Sequence, residues 1–250
     1  MILEKFSLKG KVAIVTGSNT GLGQGVCRAF AEAGAKVVGV SRRPSTETAE
    51  LIGESFYNVI ADLSTTEPIE RIIKETLAKF GRVDILVNNA GVIKRNDSLD
   101  FTEEEWDSVL NVNLKTVFFL TQAVAKQFIK QNSGGKVINI ASMLSYQGGI
   151  RVPSYTASKS GIRGVTMTLA NEWAKYNINV NAIAPGYMAT NNTKDLRKDE
   201  DRSSDILARI PAGRWGTPED LEGAAVFLAS EASDYVNGFT LAVDGGWLGR

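Results

Sequence analysis

The 250-residue sequence predicts an α/β fold, a doubly wound parallel sheet of about seven strands with helices on both faces. Short apolar runs, typical of strands buried on both faces, alternate with helical patterns along the chain. The first run ends in glycine and leads directly into an amphipathic helix. No repeat, low-complexity stretch or Pro/Gly-rich linker divides the chain, so we expect residues 1–250 to form a single domain.

The first part of the chain supplies four strands and two helices. "KVAIVTG" (11–17) is a continuous apolar run, and the helix that follows it is expected to stop at Gly34. "AKVVGVS", "FYNVIADLS" and "VDILVNNAG" are the next three predicted strands. Between the last two, helical spacing of isoleucines and leucine predicts a helix over 66–80 that stops at Gly81.

The second part continues the alternation. "TEEEW" (102–106) has the form of a capping box and opens a long helical region to about Gln131, interrupted near Asn113. "SGGKVINIAS" starts the fifth strand, a helix covers about 154–176, and "INVNAIAP" is the sixth strand. Thr217 caps the last helix and "FTLAVDGG" supplies the last strand.

A very polar stretch follows the sixth strand, at residues 191–205. It is typical of a solvated surface helix. It also fits a substrate lid around 187–212, because ligands of doubly wound sheets bind beyond the carboxyl ends of the strands. The sequence leaves both interpretations open.

Composition excludes several classes of protein. Lys+Arg and Asp+Glu number 28 each, so no basic excess favours nucleic acid as a partner. No apolar run is long enough for a membrane span or signal peptide, which favours a cytoplasmic protein. Cys27 is the only cysteine and histidine is absent, which excludes an intrachain disulfide, Ser-His-Asp hydrolysis and histidine or thiolate-cluster metal sites. Acid/base chemistry must therefore use Tyr, Lys, Asp or Glu.

A glycine-rich turn joins the first strand to the first helix. "TGSNTGLGQG" places Gly17, Gly21 and Gly23 where the backbone turns tightly and a helix begins. Such a turn can approach a pyrophosphate, which also interacts favourably with the helix N-terminus. Its position between a buried strand and an amphipathic helix predicts a dinucleotide site.

The end of the second strand bears on the choice of cofactor. A carboxylate there usually binds the ribose 2′-hydroxyl of NAD. "VGVSRRP" instead presents Ser41, Arg42 and Arg43, with no carboxylate before Glu47. A guanidinium can pair with a 2′-phosphate, so NADP(H) is favoured. NAD(H) is possible if Arg42 only stacks on adenine or faces solvent.

One helix carries a tyrosine and a lysine that could perform proton transfer. In "PSYTASKSG", Tyr155 and Lys159 are four residues apart and therefore share a helix face. A free tyrosine has a pKa of about 10, poorly matched to neutral pH. A neighbouring ammonium would favour the phenolate and lower that pKa.

These motifs, in this order, resemble the short-chain dehydrogenase/reductase family. The resemblance rests on the TGxxxGxG turn, "NNAG" (88–91), "NVN" around Asn113, Ser142 in "INIASM", the Tyr155/Lys159 pair and "PG" (185–186). It implies a Rossmann-type fold, a nicotinamide cofactor and a homotetramer. It also implies that Tyr155 carries the proton, Lys159 binds the nicotinamide ribose as well, Ser142 holds the substrate oxygen and Asn113 supports a proton-relaying water.

The resemblance also implies a set of cofactor-binding positions. Asp62 matches a position that binds the adenine amino group, and Thr190 matches one that contacts the nicotinamide amide. The full expected set is Gly17, Ser18, Asn19, Gly21, Leu22, Gly23, Ser41, Arg42, Asp62, Leu63, Asn89, Ala90, Gly91, Tyr155, Lys159, Pro185, Gly186, Met188 and Thr190.

The substrate is expected to be a sugar acid. "SMLSYQGG" and "IPAGRWG" are similar to stretches of family members that act on keto- and hydroxy-sugar acids in the breakdown of pectin and other uronate polymers. A carboxylate needs a cation. Arg151 is best placed, unless it forms a salt link between subunits, and Lys94 and Arg95 come next. Position alone adds Gln147, Tyr187 and Trp215.

Two other functions are open. The chain could be a different reductase of the family, acting on gluconate or on an acyl chain carried by a protein. The latter should present a basic docking patch, and none stands out in the sequence. It could also be a cofactor-sensing binding protein, although such a protein would be expected to lose part of the Asn-Ser-Tyr-Lys set.

Overall fold

All strands of the protein lie in one parallel sheet. The computed structural model describes residues 1–250. The strands, labelled β1 to β7, are Val12–Thr16, Lys36–Ser41, Phe56–Ile60, Ile85–Asn88, Gly135–Ile140, Ile178–Pro185 and Thr240–Val243. The helices, labelled α1 to α9, are Gly21–Glu32, Thr46–Ile52, Ile69–Phe80, Glu103–Leu110, Thr116–Gln131, Pro153–Trp173, Lys194–Lys198, Glu200–Arg209 and Pro218–Ala229. The sheet order is β3-β2-β1-β4-β5-β6-β7, which confirms the predicted doubly wound fold.

The sheet is covered on both faces, and β1 shows why. All five of its residues are buried. Val12 and Ile14 pack into one core cluster, whereas Ala13 and Val15 pack into the other. Because alternate side chains of a strand point to opposite faces, a strand between two helical layers has to be apolar throughout. The continuous apolar run in the sequence reflects that position.

The chain reverses its direction of travel across the sheet beside β1. From β1 it proceeds outward through β2 to β3, and it then returns so that β4 pairs with the other side of β1. In open sheets of this kind a crevice forms at such a reversal, outside the carboxyl ends of the strands. The glycine-rich turn follows β1 and the "NNAG" stretch ends β4, so both motifs lie at this crevice.

Most helix signals of the sequence are confirmed at their predicted positions. Thr102 and Glu105 form the capping box, since the Glu105 N–H donates to the Thr102 hydroxyl at 3.2 Å and the Glu105 carboxylate accepts from the Thr102 N–H at 3.0 Å. Gly81 ends α3 in a left-handed conformation with φ of 78°. The break near Asn113 is a π-helical turn, Asn111–Lys115, between α4 and α5.

The segment 187–212 contains the short helices α7 and α8. Ile206 and Ile210 pack with Met143 and Trp247 in a small apolar cluster. The Arg209 guanidinium lies 4.1 Å from the centre of the Trp247 ring. The carboxyl end of α8 is therefore attached to the body of the molecule, and the lid function of this segment stays a prediction. No helix combines the length and apolar character that crossing a membrane requires.

Candidate active site

A polar cleft runs along the carboxyl ends of the strands and has two adjoining halves, both lined by the glycine turn. One half extends toward the ends of β2 and β3, and the other toward β5 and β6. The predicted cofactor residues that line the cleft are Gly17, Asn19, Gly21, Leu22, Ser41, Arg42, Asp62, Leu63, Asn89, Ala90, Gly91, Tyr155, Lys159, Pro185, Gly186, Met188 and Thr190. Most of the expected cofactor set therefore shares one surface.

The glycine-rich turn is fastened to the end of β4. Gly17 adopts a φ of 69°, and its N–H donates to the Val40 carbonyl at 2.7 Å. The Asn89 amide donates to the carbonyls of Thr16 at 2.9 Å and Gly17 at 3.2 Å. A Cβ atom on Gly23 would lie 2.1 Å from the Gly17 carbonyl oxygen. Gly23 thus serves the close packing of the turn, although it does not line the cleft.

The β2 end of the cleft has the chemistry of an anion site. The exposed side chains of Arg42 and Arg43 lie there beside Asp62, which caps its own loop by accepting from the Ser64 N–H at 2.9 Å. No carboxylate follows β2 before Glu47. Two guanidinium groups suit a dianionic 2′-phosphate, so these residues fit NADP. Sequence reasoning noted both arginines but gave the cofactor role to Arg42 alone, and the structure places Arg43 in the same half of the cleft.

Ser18 is a predicted cofactor residue that the structure places outside the cleft. It is fully buried, and its hydroxyl lies 3.0 Å from that of Ser45. Its contacts are therefore to the protein interior.

The catalytic set predicted from the sequence comes together at the other half of the cleft. Ser142, Tyr155 and Lys159 line it. Asn113 lies behind them, fully buried in the π-helical turn. Its side-chain amide accepts from the Val92 N–H and donates to the Val92 carbonyl, both at 2.9 Å. The water-holding role of Asn113 stays a prediction.

Burial dominates the electrostatics of the Tyr155/Lys159 pair. Burial raises the pKa of Tyr155, while the Ser142 hydroxyl and the charge of Arg95 oppose that rise. Burial lowers the pKa of Lys159 to about 8. The Lys159 ammonium donates to the Ile140 carbonyl at 2.6 Å and lies 5.6 Å from the centre of the Tyr155 ring. Arg95 thus contributes a charge that lowers the Tyr155 pKa, a contribution that sequence reasoning did not expect, and the effect of Lys159 on that pKa stays a prediction.

The three candidate carboxylate-binding cations have different neighbours. Arg151, favoured by the sequence, pairs with Asp97 at 3.1 Å on the exposed rim. Lys94 acts on Glu105, whose pKa its charge helps to lower. Arg95 acts on Tyr155, and it also donates to the Asn192 carbonyl of the segment 187–212 at 3.1 Å. Of the three cations, Arg95 is the one whose charge acts on Tyr155, and it contacts Asn192, which lines the same half of the cleft as Tyr155.

The remaining predicted substrate residues form an aromatic cluster next to the cleft. The Tyr187 ring contacts those of Trp215 and Trp247, with centres 5.4 and 4.9 Å apart. Gln147 accepts a hydrogen bond from the Trp247 indole at 3.1 Å. These side chains connect the loop after Ser142 to the carboxyl-terminal segment, and their contact with substrate stays a prediction.

Comparison with known proteins adds four findings. Residues 17–248 match the family described as enoyl-(acyl carrier protein) reductase. The chain is 63% identical to 2-dehydro-3-deoxy-D-gluconate 5-dehydrogenase of Dickeya dadantii, over 100% of both chains. It is 54% identical to an Agrobacterium tumefaciens structure described as a 2-deoxy-D-gluconate 3-dehydrogenase with bound NADP (TM-score 0.90, covering 98% of this chain and 99% of that one). A Burkholderia cenocepacia gluconate 5-dehydrogenase with NADP and tartrate is 39% identical, with a TM-score of 0.94 over 100% of both chains.

Proposed function

Because the chain belongs to the short-chain dehydrogenase/reductase family of oxidoreductases, we propose that it is an NADP(H)-preferring dehydrogenase of a 3-deoxy sugar acid. The substrate pair is 2-keto-3-deoxygluconate and its 2,5-diketo form, and the pathway is the breakdown of pectin and other uronate polymers. The full-length identity of 63% to an enzyme with that specificity supports the substrate. The NADP in two solved relatives supports the cofactor.

The observation that carries the proposal is the trio of Ser142, Tyr155 and Lys159 in one half of the cleft, with the charge of Arg95 acting on Tyr155. A tyrosine, a serine and a lysine line one cleft at the carboxyl ends of the strands. Arg95 is close enough to Tyr155 for its charge to lower the phenol's pKa. A hydroxyl or ketone at Tyr155 and a carboxylate at Arg95 can therefore belong to one small molecule.

The proposed chemistry assigns each side chain a task. NADP supplies the hydride acceptor or donor when it is bound. In the oxidative direction, Ser142 donates a hydrogen bond to the substrate oxygen and Tyr155 accepts the hydroxyl proton. In the reductive direction, Tyr155 returns that proton to the ketone oxygen. The buried ammonium of Lys159 stabilises the tyrosinate and binds the nicotinamide ribose, while Asn113 lies on the route by which the proton reaches solvent.

The direct test is a spectrophotometric screen of keto- and hydroxy-sugar acids with NADPH and NADH in parallel. We expect the highest kcat/KM with the 3-deoxy diketo acid and NADPH. A Tyr155→Phe variant in the same screen should bind NADP with little change and lose turnover. Faster turnover of a gluconate or of an acyl-carrier substrate would contradict the proposal.

Replacing Arg95 with alanine should weaken binding of acidic sugars selectively. Losing a charge-assisted pair with the carboxylate should raise KM for the sugar acid on the order of 10- to 100-fold. The KM for a neutral ketone should stay within about twofold, because it has no charge to pair. Steady-state kinetics on matched acidic and neutral substrates measures both.

Arg151→Ala is the matched control for this prediction. It removes the same kind of side chain from the neighbouring loop, where the structure pairs it with Asp97. We expect it to change the KM of both substrates little. If Arg151→Ala raised KM for the sugar acid more than Arg95→Ala does, or if Arg95→Ala raised KM equally for both substrates, Arg95 would not be the residue that binds the substrate carboxylate.

We also propose that the protein is a cytoplasmic homotetramer, as the family resemblance implies. Large apolar side chains are exposed on α4, α5 and α6, namely Trp106, Phe119, Ile129 and Met167. Contact between subunits along these helices would bury them.

A further inference from the structure

Three buried serine hydroxyls connect the glycine-rich turn to the loop that carries the two arginines. The Ser18 hydroxyl lies 3.0 Å from that of Ser45, which lies 2.9 Å from that of Ser41. Ser41 donates to the Arg43 carbonyl at 2.7 Å. All three serines are almost completely buried, so no solvent competes for these bonds.

The number of protons available fixes which serine donates and which accepts in each of these hydrogen bonds. A serine hydroxyl has one proton to donate. Ser41 gives its proton to the Arg43 carbonyl, so it accepts from Ser45. Ser45 has then used its proton, so it accepts from Ser18. The donors run from the phosphate turn through Ser45 to the arginine loop, and each bond polarises the next in the same sense.

Hydrogen bonds hold both the hydroxyl and the backbone N–H of Ser45. It is the N-cap residue of α2, a position where a serine normally accepts from an N–H in the first turn of the helix. Its hydroxyl makes no such bond, because it points to the other two serines. Its N–H donates to the Asn58 side chain at 3.0 Å, and that amide donates to the Gly39 carbonyl at 2.9 Å.

We propose that Ser45, which lies outside the cofactor cleft, is a positioning residue that sets the preference for NADP over NAD. It donates to the Ser41 hydroxyl, which in turn holds the Arg43 carbonyl, and it thereby helps to set the path of the backbone from which both guanidinium groups extend. Only NADP has a 2′-phosphate for those groups to bind. The inference rests on the cofactor preference in the proposed function.

The geometry also explains why binding of NAD should be spared. The glycine turn has its own attachments, through the Val40 carbonyl, the Asn89 amide and the Thr48 hydroxyl, which donates to the Ser18 carbonyl at 2.7 Å. None of these bonds involves the Ser45 hydroxyl. Removing that hydroxyl takes an acceptor from Ser18 but leaves these three attachments of the turn, whereas Ser41 loses the donor that orients it. The change should therefore disturb the arginine loop more than the pyrophosphate site.

The test is calorimetric binding of NADP+ and NAD+ to the full-length protein without substrate. For Ser45→Ala we expect Kd for NADP+ to rise about tenfold or more, because the loss of a buried hydrogen bond displaces a charge-assisted contact. Kd for NAD+ should stay within about twofold. Ser41→Ala should also raise Kd for NADP+ more than Kd for NAD+. The Ser41→Ala/Ser45→Ala double variant should weaken NADP+ binding little more than either single variant, because either change interrupts the same series of hydrogen bonds.

A merely structural role predicts a different result. Thr76→Ala removes another fully buried hydroxyl, which donates to the Ile72 carbonyl inside α3, and it should leave the ratio of the two Kd values unchanged. Equal weakening of both cofactors by Ser45→Ala, or additive effects of the two serine changes, would overturn the inference. Binding of the two cofactors to the unmodified protein tests the cofactor preference separately. If that protein binds NAD+ better than NADP+, the proposed preference itself is wrong.

Discussion

Lys159 is a buried cation whose charge the folded protein disfavours. Burial lowers its pKa from 10.5 to about 8. Between these values the unfolded chain binds a proton that the folded protein does not, so stability should rise with pH across this window. The difference corresponds to roughly 3 kcal/mol of destabilisation below pH 8. The active site thus keeps a charge at some cost to folding.

Replacing Lys159 with methionine should therefore abolish turnover and stabilise the fold at neutral pH. The gain should be less than roughly 3 kcal/mol, because the Ile140 carbonyl loses its donor, and it should shrink as pH rises from 8 toward 10.5. Urea unfolding between pH 6.5 and 10 measures this difference. Lys175→Met, at an exposed lysine, serves as control. A pH-independent effect of Lys159→Met would show that the buried charge is not the cause.

Sequence reasoning named three residues that line one half of the cleft but could not rank the cations around them. Ser142, Tyr155 and Lys159 stand in motifs whose spacing is visible in the chain. Which of Arg95 and Arg151 acts on the Tyr155 side chain depends on which carboxylates lie near each guanidinium group. Arg151 meets Asp97 only through the folding of an exposed loop, in which its own φ is 63°. No pattern in the sequence predicts such a contact.

At the scale of elements, the β1–α1 turn depends on one glycine for its packing. A Cβ atom on Gly23 would meet the Gly17 carbonyl at 2.1 Å, and backbone cannot move aside cheaply. Gly23→Ala should destabilise the protein by about 1–3 kcal/mol and weaken cofactor binding. Urea unfolding and calorimetry measure the two effects.

Gly223→Ala in α9 is the matched control. Nothing lies within 4 Å of a Cβ atom there, so the better helix propensity of alanine should stabilise the protein by about 0.5–1 kcal/mol. Equal effects at the two positions would refute the close-packing explanation for Gly23.

The elements that the sequence missed or misjudged depend on neighbours. The helix α2 has no apolar stripe, since its only buried residue is Thr48 and Leu51 is exposed. β3 stops at Ile60, before the end of the apolar run, because its partner β2 stops at the paired residue Ser41. Strand pairing, which is invisible in a single run of residues, sets these boundaries.

At the scale of the whole molecule, the fold class was predictable because the central strands β1 and β4 are buried at every residue and are therefore almost entirely apolar. The assembly is less visible in the sequence, since exposed apolar residues carry no periodic signal. Phe119→Glu on α5 should dissociate the proposed tetramer, because it places a charge among the exposed apolar side chains of the long helices. Analytical ultracentrifugation measures the mass.

Leu51→Glu is the control for that change, because Leu51 is 59% exposed on α2, away from those helices. It should leave the mass unaltered. If the unmodified protein is a monomer, or if Phe119→Glu leaves the mass unaltered, these helices do not form the contact between subunits.

The order of strands in the sheet also has a consequence for biosynthesis. The N–H of Val12, the first residue of β1, donates to Asp84, which lies 72 residues later in the chain. At the speed of translation, roughly 4–14 s separate the two residues on the ribosome. During that interval one edge of a largely apolar strand has no partner, which exposes the nascent chain to aggregation. The yield of protein in a cell should thus depend on how quickly the codons between β1 and β4 are read, and on the supply of chaperones that shield the waiting edge.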